Sequence, residues 1–259
     1  MPLLTSLARR ILGLFSPETV SFGGQTIPAR RLRFGGAHFA RDEDFVHSGE
    51  EEAKRLTVWC GLGAQSRVLD VGCGPGRLPI GILRTAGDIA AYRGIDVSRT
   101  PIEWCSRHIQ LAHPSFQFLH INVRNDRYNP SGESLNDRFR LPFPSGSFDI
   151  IYLYSVFSHM GTEDVQRYLR EYARLLAPDG SVFLTAFVEE AVPSMEENPQ
   201  GYGNLQWKGA LHCVRFESGF FAALVRGAGL QIVRQSHGTE TDGQSAFLLH
   251  HADNGSPSS

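Results

Sequence analysis

The sequence predicts a single doubly wound α/β domain, in which a mostly parallel, seven-stranded sheet carries helices on both faces. Three observations lead to this fold class. Apolar and β-branched runs alternate with helical patterns along the middle of the chain, and such alternation is typical of parallel strands joined by crossover helices. Polar, Gly-containing turns separate the runs. The chain of 259 residues, 41% of them hydrophobic, is long enough to bury one large core.

The predicted strands are short apolar runs flanked by polar or glycine-containing segments. The five central ones cover residues 67–71, 92–97, 116–123, 148–156 and 181–188, and two further strands at 230–233 and 246–250 complete the sheet. Apolar residues recur at helical intervals after Pro101 and after Thr162, and again over residues 216–228. The segment 178–180, Pro-Asp-Gly, is expected to end the second of these helices and to turn into the next strand.

Regions without this periodicity divide the chain further. We expect an N-terminal helix and lid segment over residues 1–50, a catalytic domain over 51–251 and a disordered Ser-rich tail over 252–259. Residues 3–15 form an amphipathic pattern, predicted to pack on the domain or a partner subunit, as in a homodimer, or to touch a membrane surface. The segments 34–48, 124–147 and 191–215, the last a small lid insertion, are expected to cover the sheet and bind the substrate.

Composition argues against several classes of protein. The formal net charge of -2 provides no basic field for a nucleic-acid partner. The four cysteines are widely spaced, which favours free thiols and a cytoplasmic location over a disulfide framework. A run long and apolar enough for stable membrane insertion is absent from the sequence.

The strongest chemical signal is the glycine-rich turn after the first central strand. Asp70 ends that strand, and the turn runs Gly72-Cys73-Gly74-Pro75-Gly76 before Arg77. Glycines let the backbone approach a ligand closely at the carboxyl end of the sheet. Arg77 stands where a dinucleotide-binding fingerprint has its third glycine. A carboxylate before the turn suits a cofactor with an ammonium group, and Asp96 at the end of the next strand suits ribose hydroxyls.

At these residues the sequence resembles the class I S-adenosylmethionine-dependent methyltransferases, from about residue 45 to about residue 250. The segments that carry the resemblance are Gly-Cys-Gly-Pro-Gly-Arg-Leu at 72–78, Trp104-Cys105, Asn125, Tyr-Asn-Pro-Ser-Gly at 128–132, Ser-Val-Phe-Ser-His-Met at 155–160 and Leu-Leu-Ala-Pro-Asp-Gly at 175–180. They are similar to a bacterial small-molecule subgroup of that family. The resemblance implies a Rossmann-like sheet and S-adenosylmethionine as cofactor.

The resemblance also implies where the cofactor binds. Its methionine part would lie on Asp70, Gly72 and Gly74, with Cys73 and Arg77 in the same turn, and Asp96 would hold both ribose hydroxyls. Val97 would lie against the adenine and Val123 would also contact the cofactor, while Asn122 would accept a hydrogen bond from the adenine amino group where the family often has Asp. Ser155 would meet the methionine end. No compact ligand spacing predicts a metal.

His159, a few residues past the fourth strand, is the candidate catalytic base, with a pKa expected near its normal value. Orienting the acceptor or capping the following helix are its alternative roles. Glu189 or Glu190 could orient His159 or bind acceptor hydroxyls, although a solvated acidic pair is an equally good interpretation. His212 is a second candidate base.

The predicted activity is methyl transfer to a hydroxyl of a small molecule, with a saccharide as one candidate acceptor because the lid mixes aromatic and polar residues. Three alternatives stay open. The acceptor could be an amine or a protein, or the protein could bind the cofactor without catalysis. A dehydrogenase is the remaining alternative, which binding of nicotinamide cofactors would test.

Overall fold

The computed structural model describes residues 18–33, 37–203 and 206–252, and the structural statements below concern these residues. The amphipathic pattern at 3–15 and residues 253–259 of the predicted tail lie outside them. The strands are β1 (Thr19–Phe22), β2 (Gln25–Pro28), β3 (Arg67–Val71), β4 (Ala91–Asp96), β5 (Phe116–His120), β6 (Phe148–Leu153), β7 (Leu176–Glu189), β8 (Met195–Glu197), β9 (Val214–Glu217), β10 (Leu230–Ser236) and β11 (Ser245–His251). The helices are α1 (Asp42–Cys60), α2 (Arg77–Thr85), α3 (Arg99–Cys105), α4 (Thr162–Leu175) and α5 (Ser218–Gly227).

Seven strands form the main path of a nine-stranded sheet, in the order β10-β11-β7-β6-β3-β4-β5, and β8 and β9 lie off this path. Strands β5, β4, β3, β6 and β7 pair in parallel, whereas β11 runs antiparallel to both β7 and β10. The order reverses direction at β3, so that β4 and β6 lie on its two sides. The predicted fold class, a mostly parallel seven-stranded sheet, is confirmed. Ligands of such open sheets bind at the carboxyl ends of the strands beside this switch point.

Both faces of the sheet are buried. Alternate side chains of each strand point to opposite faces, so each strand contributes to two core clusters. Val68 of β3 packs in a core cluster with Ile80 of α2, whereas its neighbour Leu69 packs in a second cluster with Leu169 of α4. Helices α1 to α3 therefore cover one face, and α4 and α5 cover the other. This two-sided burial explains why the central strands are continuous apolar runs in the sequence.

Several elements differ from the sequence-based prediction. Strand β7 starts at Leu176, before the Pro-Asp-Gly segment, and its register with β6 shifts between Phe148 and Ile150, so this segment forms an irregularity inside the strand. The predicted helix at 216–228 begins at Ser218 instead. Phe216 belongs to β9, which continues the sheet beside the end of β7 and pairs with β8. The hairpin β1–β2 was not predicted.

Helix α1 is an integral part of the domain. Asp42, Glu43 and Asp44 occupy its first turn, where acidic side chains interact favourably with the helix dipole, and Gly61 ends it in a left-handed conformation with φ 69°. The expected domain boundary between residues 50 and 51 falls in the middle of this helix. Because α1 packs along α2, a boundary before Asp42 fits the packing better.

The contact between α1 and α2 requires two glycines. A Cβ atom on Gly81 would lie 2.0 Å from the carbonyl oxygen of Gly49, and a Cβ atom on Gly49 would lie 2.3 Å from the carbonyl oxygen of Arg77. The two backbones therefore touch directly. This close approach brings the residues before and within α1 next to the glycine turn that precedes α2.

Gly81→Ala is expected to destabilise the protein, because the new methyl group would push α1 and α2 apart. Overpacking of this kind costs about 1–3 kcal/mol, so the midpoint of thermal unfolding should fall. Gly227→Ala in α5 is the matched control: nothing lies within 4 Å of the added Cβ, and its midpoint should stay the same or rise. Equal midpoints for the two variants would contradict a backbone contact between α1 and α2.

Candidate active site

The glycine turn after β3 is held against the end of β4 by backbone hydrogen bonds. The amides of Gly72 and Cys73 both donate to the carbonyl of Ile95, at 2.8 and 3.1 Å. Gly72 and Gly74 have positive φ values, 73° and 50°. A Cβ atom on Gly72 would lie 2.7 Å from Val156, whereas one on Gly74 would meet nothing within 4 Å. Gly74 therefore borders open space in which a ligand could lie.

Asp96 connects this turn to the end of β4. Its Oδ2 accepts a hydrogen bond from the amide of Gly74 at 2.9 Å, and its Oδ1 accepts one from the amide of Ser98 at 2.7 Å. Burial raises the pKa of Asp96, and these two hydrogen bonds lower it in part. Each carboxylate oxygen has a further acceptor site, so the side chain could still accept the two hydroxyls of a ribose.

Asp70 is a buried carboxyl beside the turn, with 2% of its surface exposed. Tyr92 donates a short hydrogen bond to its Oδ2. Burial raises the pKa of Asp70 to about 7, although the Tyr92 hydrogen bond and the charge of Arg77 act in the opposite direction. A cation bound next to this carboxyl would stabilise its charged form.

The guanidinium of Arg77 lies between the rings of Phe39 and Tyr154, at 5.4 and 5.0 Å from their centroids. It donates to the carbonyl of Ser48 and to the hydroxyl of Tyr152, both at 3.3 Å. Arg77 borders the cavity, as predicted of a cofactor-binding residue, but these bonds also make it part of the contact between α2, α1 and β6.

A cavity of about 420 Å³ lies over the carboxyl ends of the central strands. It brings together most of the residues predicted to bind cofactor or act in catalysis. Those on its lining are Asp70, Gly72, Cys73, Gly74, Arg77, Asp96, Val97, Val123, Ser155, His159 and His212. Three predicted residues, Asn122, Glu189 and Glu190, are not on its lining.

The prediction for Asn122 is wrong in its orientation. Ile121 and Val123 line the cavity, whereas Asn122 between them is exposed, as alternation along an extended segment requires. Its Oδ1 accepts a hydrogen bond from Asn129 at 3.2 Å, and its Nδ2 donates to Glu133 at 3.4 Å. Asn122 therefore helps to order the loop after β5 instead of facing an adenine.

The roles predicted for Glu189 and Glu190 also need correction. Glu189 accepts a hydrogen bond from the hydroxyl of Tyr202 at 2.9 Å and lies 3.4 Å from His237. Glu190 is exposed. The ring of His159 is instead oriented by a backbone carbonyl, that of Leu211, at 2.9 Å. Neither glutamate orients His159.

The hydrogen bond to Leu211 fixes the tautomer of His159. A carbonyl oxygen only accepts, so Nδ1 carries the proton and Nε2 keeps its lone pair. Burial lowers the pKa of His159 to about 4, and the positive charge of Arg127 contributes in the same direction. The expectation of a near-normal pKa was therefore wrong. His159 is neutral at physiological pH, with a free acceptor at the cavity.

The hydrogen bond at Nδ1 of His212 runs in the opposite direction from that of His159. The amide of Lys208 donates to its Nδ1 at 2.7 Å, so in the neutral ring the proton is on Nε2. Burial lowers the pKa of His212 as well. His212 therefore lines the cavity as a hydrogen-bond donor, and the role of base predicted for it does not fit this bonding.

Ser155 is held by a cycle of hydrogen bonds at the end of β6. Its amide donates to Thr185 Oγ1 at 2.8 Å, Thr185 Oγ1 donates to Gln244 Oε1 at 2.9 Å, and Gln244 Nε2 returns to Ser155 Oγ at 2.9 Å. The φ value of Ser155 is 58°, a conformation that side-chain-bearing residues adopt at a cost. This cycle positions the helical turn Phe157–His159 that follows.

Sequence reasoning missed the part of the site that comes from the loop between β10 and β11. Thr241, Asp242 and Gln244 of this loop line the cavity, but in the sequence the segment has only the features of a connecting turn. The segments 34–48, 124–147 and 191–215 were expected to cover the sheet, and they contribute Phe39, Tyr128 and Trp207 respectively. In the segment 191–215, aromatic residues were the sequence feature that indicated a binding role.

Comparison with known proteins agrees with this geometry. The family described as "Methyltransferase domain" matches residues 69–184, which run from within β3 to within β7 and include the glycine turn and Asp96. Over residues 69–184 the chain is therefore similar to methyltransferases, and together with the doubly wound sheet this match supports a class I S-adenosylmethionine-dependent methyltransferase. The domain also resembles the structure of YcgJ from Bacillus subtilis, with a TM-score of 0.53 and 20% identity over 78% of this chain and 96% of that one.

Three curated relatives show how far the similarity extends. The methyltransferase GfsG of Streptomyces halstedii is 29% identical over 56% of this chain and 46% of its own length. The human tRNA N(3)-cytidine methyltransferase METTL2B is 32% identical over 48% of this chain and 30% of its own length. The 27-O-demethylrifamycin SV methyltransferase of Amycolatopsis mediterranei is 27% identical over 68% of this chain and 58% of its own length. Each match covers less than two thirds of the relative.

S-adenosylmethionine is the cofactor of this methyltransferase domain, and the site fits it. Asp70 could hold the ammonium of the methionine part, and Asp96 could hold the ribose. The open space at Gly74 would be filled by a Cβ atom on any other residue. Among residues 18–33, 37–203 and 206–252, no group of three or more His, Cys, Asp or Glu is arranged to hold a metal ion. Over the same ranges, no helix is long and apolar enough to cross a membrane.

The affinity for S-adenosylmethionine is expected to fall at acidic pH. With a pKa of about 7, Asp70 is increasingly protonated below pH 7, and binding of the ammonium group must displace that proton. The dissociation constant should therefore rise about tenfold per pH unit as the pH falls below 7, until the lowered pKa of the complex is reached. Calorimetric titration between pH 5 and 7 measures this, because the amino group of the cofactor stays protonated there.

The variant Asp70→Asn tests whether Asp70 is the group that causes this pH dependence. This variant should bind more weakly at pH 7, with an affinity that depends much less on pH, since the titrating carboxyl is gone. A wild-type dissociation constant that stays constant from pH 5 to 7, or an unchanged pH dependence in the variant, would show that Asp70 does not hold the ammonium group.

Proposed function

We propose that the protein transfers a methyl group from S-adenosylmethionine to a hydroxyl oxygen of a small molecule. The observation that carries this proposal is the free Nε2 of His159, a hydrogen-bond acceptor on the lining of the cavity that also contains Asp70 and Asp96. A neutral acceptor of this kind suits a hydroxyl group, which needs a partner for its proton. The relative from Amycolatopsis mediterranei, named as a 27-O-demethylrifamycin methyltransferase, also supports an oxygen acceptor.

The cofactor supplies an activated methyl group, so the protein has to provide position and a destination for one proton. As the carbon–oxygen bond forms and the carbon–sulfur bond breaks, the acceptor oxygen becomes positively charged and its proton strongly acidic. A base with a pKa of about 4 can then accept that proton on Nε2. The same low pKa returns the proton quickly to solvent at neutral pH.

The geometry supports the following cofactor contacts, which are part of the proposal. Asp70 binds the ammonium group and Asp96 the ribose hydroxyls, while Gly74 allows close approach of the methionine part. Ile121 and Val123 border the adenine end in place of Asn122. The cavity walls from Tyr128 and Trp207 enclose the acceptor.

A tRNA-directed activity is the second candidate, because METTL2B is 32% identical over 127 residues. The formal net charge of -2 gives little support for binding a polyanion. A screen with methyl-labelled S-adenosylmethionine against sugars, phenols, hydroxy acids, amines and unmodified tRNA separates the candidates. Label in a hydroxylated small molecule supports the proposal, and label in tRNA or in amines alone overturns it.

His159→Gln is expected to lower turnover about 10²-fold or more, because the amide can accept a hydrogen bond but not a proton. Cofactor affinity should be nearly unchanged. At saturating S-adenosylmethionine, wild-type turnover should be flat with pH around neutrality and should fall only near pH 4, where His159 becomes protonated.

His113→Gln is the matched control, since His113 lies away from the cavity and pairs with Asp88 at 3.0 Å. Its turnover should equal that of the wild type. Near-wild-type turnover in His159→Gln would exclude His159 as the proton acceptor, whatever the acceptor molecule is.

A further inference from the structure

Arg127, in the loop after β5, presents a positive charge to the acceptor side of the cavity. It lines the same cavity as His159 and His212, and its Nη1 donates to the carbonyl of Lys208 at 3.4 Å. The charge of Arg127 also lowers the pKa of both histidines. Its Cζ lies 5.5 Å from the centroid of the Tyr128 ring.

The segment from Lys208 to His212 connects these three groups. The amide of Lys208 donates to His212 Nδ1 at 2.7 Å, and the carbonyl of Leu211 accepts from His159 Nδ1 at 2.9 Å. The carbonyl of Lys208 accepts the bond from Arg127. One short segment therefore fixes a cation, a hydrogen-bond donor and a hydrogen-bond acceptor on one cavity wall.

The charge of Arg127 is not neutralised within the part of the chain that the structure describes. No carboxylate of that part lies within 4.0 Å of its guanidinium, whereas Arg124 in the same loop pairs with Asp126 at 2.9 Å. Its Nε is buried and has no hydrogen-bond partner there. Arg167 and Arg215 also have a buried Nε without a partner, but their Nη groups pair with Glu163 and Glu196. Arg127 has no such carboxylate among the described residues, and a bound anion would supply the partner.

Two acidic residues on the cavity lining do not fill this role. Asp164 lies 3.4 Å from Arg167. Asp242 raises the pKa of His212, but it is not within salt-bridge distance of Arg127. The acceptor side therefore keeps one cation available to a ligand.

We propose that the methyl acceptor carries an oxyanion, a carboxylate or a phosphate, which Arg127 binds together with the Nε2–H group of His212, while the hydroxyl to be methylated faces His159 Nε2. This rests on the proposed O-methyl transfer and adds the class of acceptor. Arg and a hydrogen-bond donor are the groups that bind such oxyanions in proteins, and an acceptor without the anion would leave the charge of Arg127 without an anionic partner.

Matched pairs of small hydroxylated compounds test the proposal. The probes are 4-hydroxybenzoate with 4-hydroxybenzamide, lactate with lactamide, and glucose 6-phosphate with glucose, each titrated by calorimetry into protein saturated with S-adenosylhomocysteine. We expect at least one acid to bind, with its neutral counterpart at least tenfold weaker. The pairs distinguish a carboxylate from a phosphate.

Arg127→Gln should weaken binding of that acid at least tenfold and leave its neutral counterpart unchanged, while Arg127→Lys should retain most of the affinity. Arg138→Gln is the control, because it removes an exposed charge from the same loop away from the cavity. It should bind like the wild type. An unchanged affinity for the cofactor in Arg127→Gln shows that the fold and the cofactor site are intact.

The proposal is overturned if neutral compounds bind as well as acids, if Arg127→Gln binds acids like the wild type, or if no acid in the panel binds. These outcomes differ from failure of the proposed function. An acid that binds through Arg127 but is never methylated refutes the O-methyl transfer and leaves the anion site standing. Methylation of neutral hydroxyls with equal efficiency refutes the anion site alone.

Discussion

The hydrogen bonds that the Asp96 carboxylate accepts from the amides of Gly74 and Ser98 fix the geometry on which the whole candidate site depends. They tie the turn after β3 to the start of α3. The amides of Gly72 and Cys73 still reach the backbone of β4, but the chain changes direction between strand and helix, and at Gly74 a side chain from the neighbouring strand supplies the acceptor. Parallel pairing of β3 with β4 brings the two strand ends to the same edge, and the positive φ values at Gly72 and Gly74 then aim the turn toward the cavity.

Burial is the second constraint, because it places charges where water cannot neutralise them. Arg77 is close to the acids Asp70 and Glu52, and its guanidinium is enclosed by aromatic rings. Glu52 accepts a hydrogen bond from Tyr152 at 3.1 Å and lies 3.3 Å from Arg55. Buried ions are stable only when paired and hydrogen-bonded. The helix α1, which contributes Glu52 and Arg55, is therefore needed for the electrostatic balance of the site as well as for packing.

The parts of the fold that local sequence determines could be predicted. Strand β3 and the turn with Gly72 and Gly74 are encoded by a buried apolar run and by residues that tolerate positive φ. Long-range contacts could not be predicted in the same way. Gln244 reaches Ser155 from 89 residues away, and nothing in its own segment indicates that contact. The orientation of Asn122 depends on where β5 ends, and a shift of one residue moves a side chain to the other side.

The two cavity histidines show why residue type alone does not assign a catalytic role. His159 and His212 are both buried enough to have lowered pKa values and so are both neutral near pH 7. Their partners differ, however. A carbonyl takes the Nδ1 proton of His159, whereas an amide donates to Nδ1 of His212. One ring therefore offers a lone pair and the other a proton. Because backbone groups make this distinction, the segment 208–212 determines the polarity of the acceptor side, and mutation of its side chains other than His212 would leave that polarity in place.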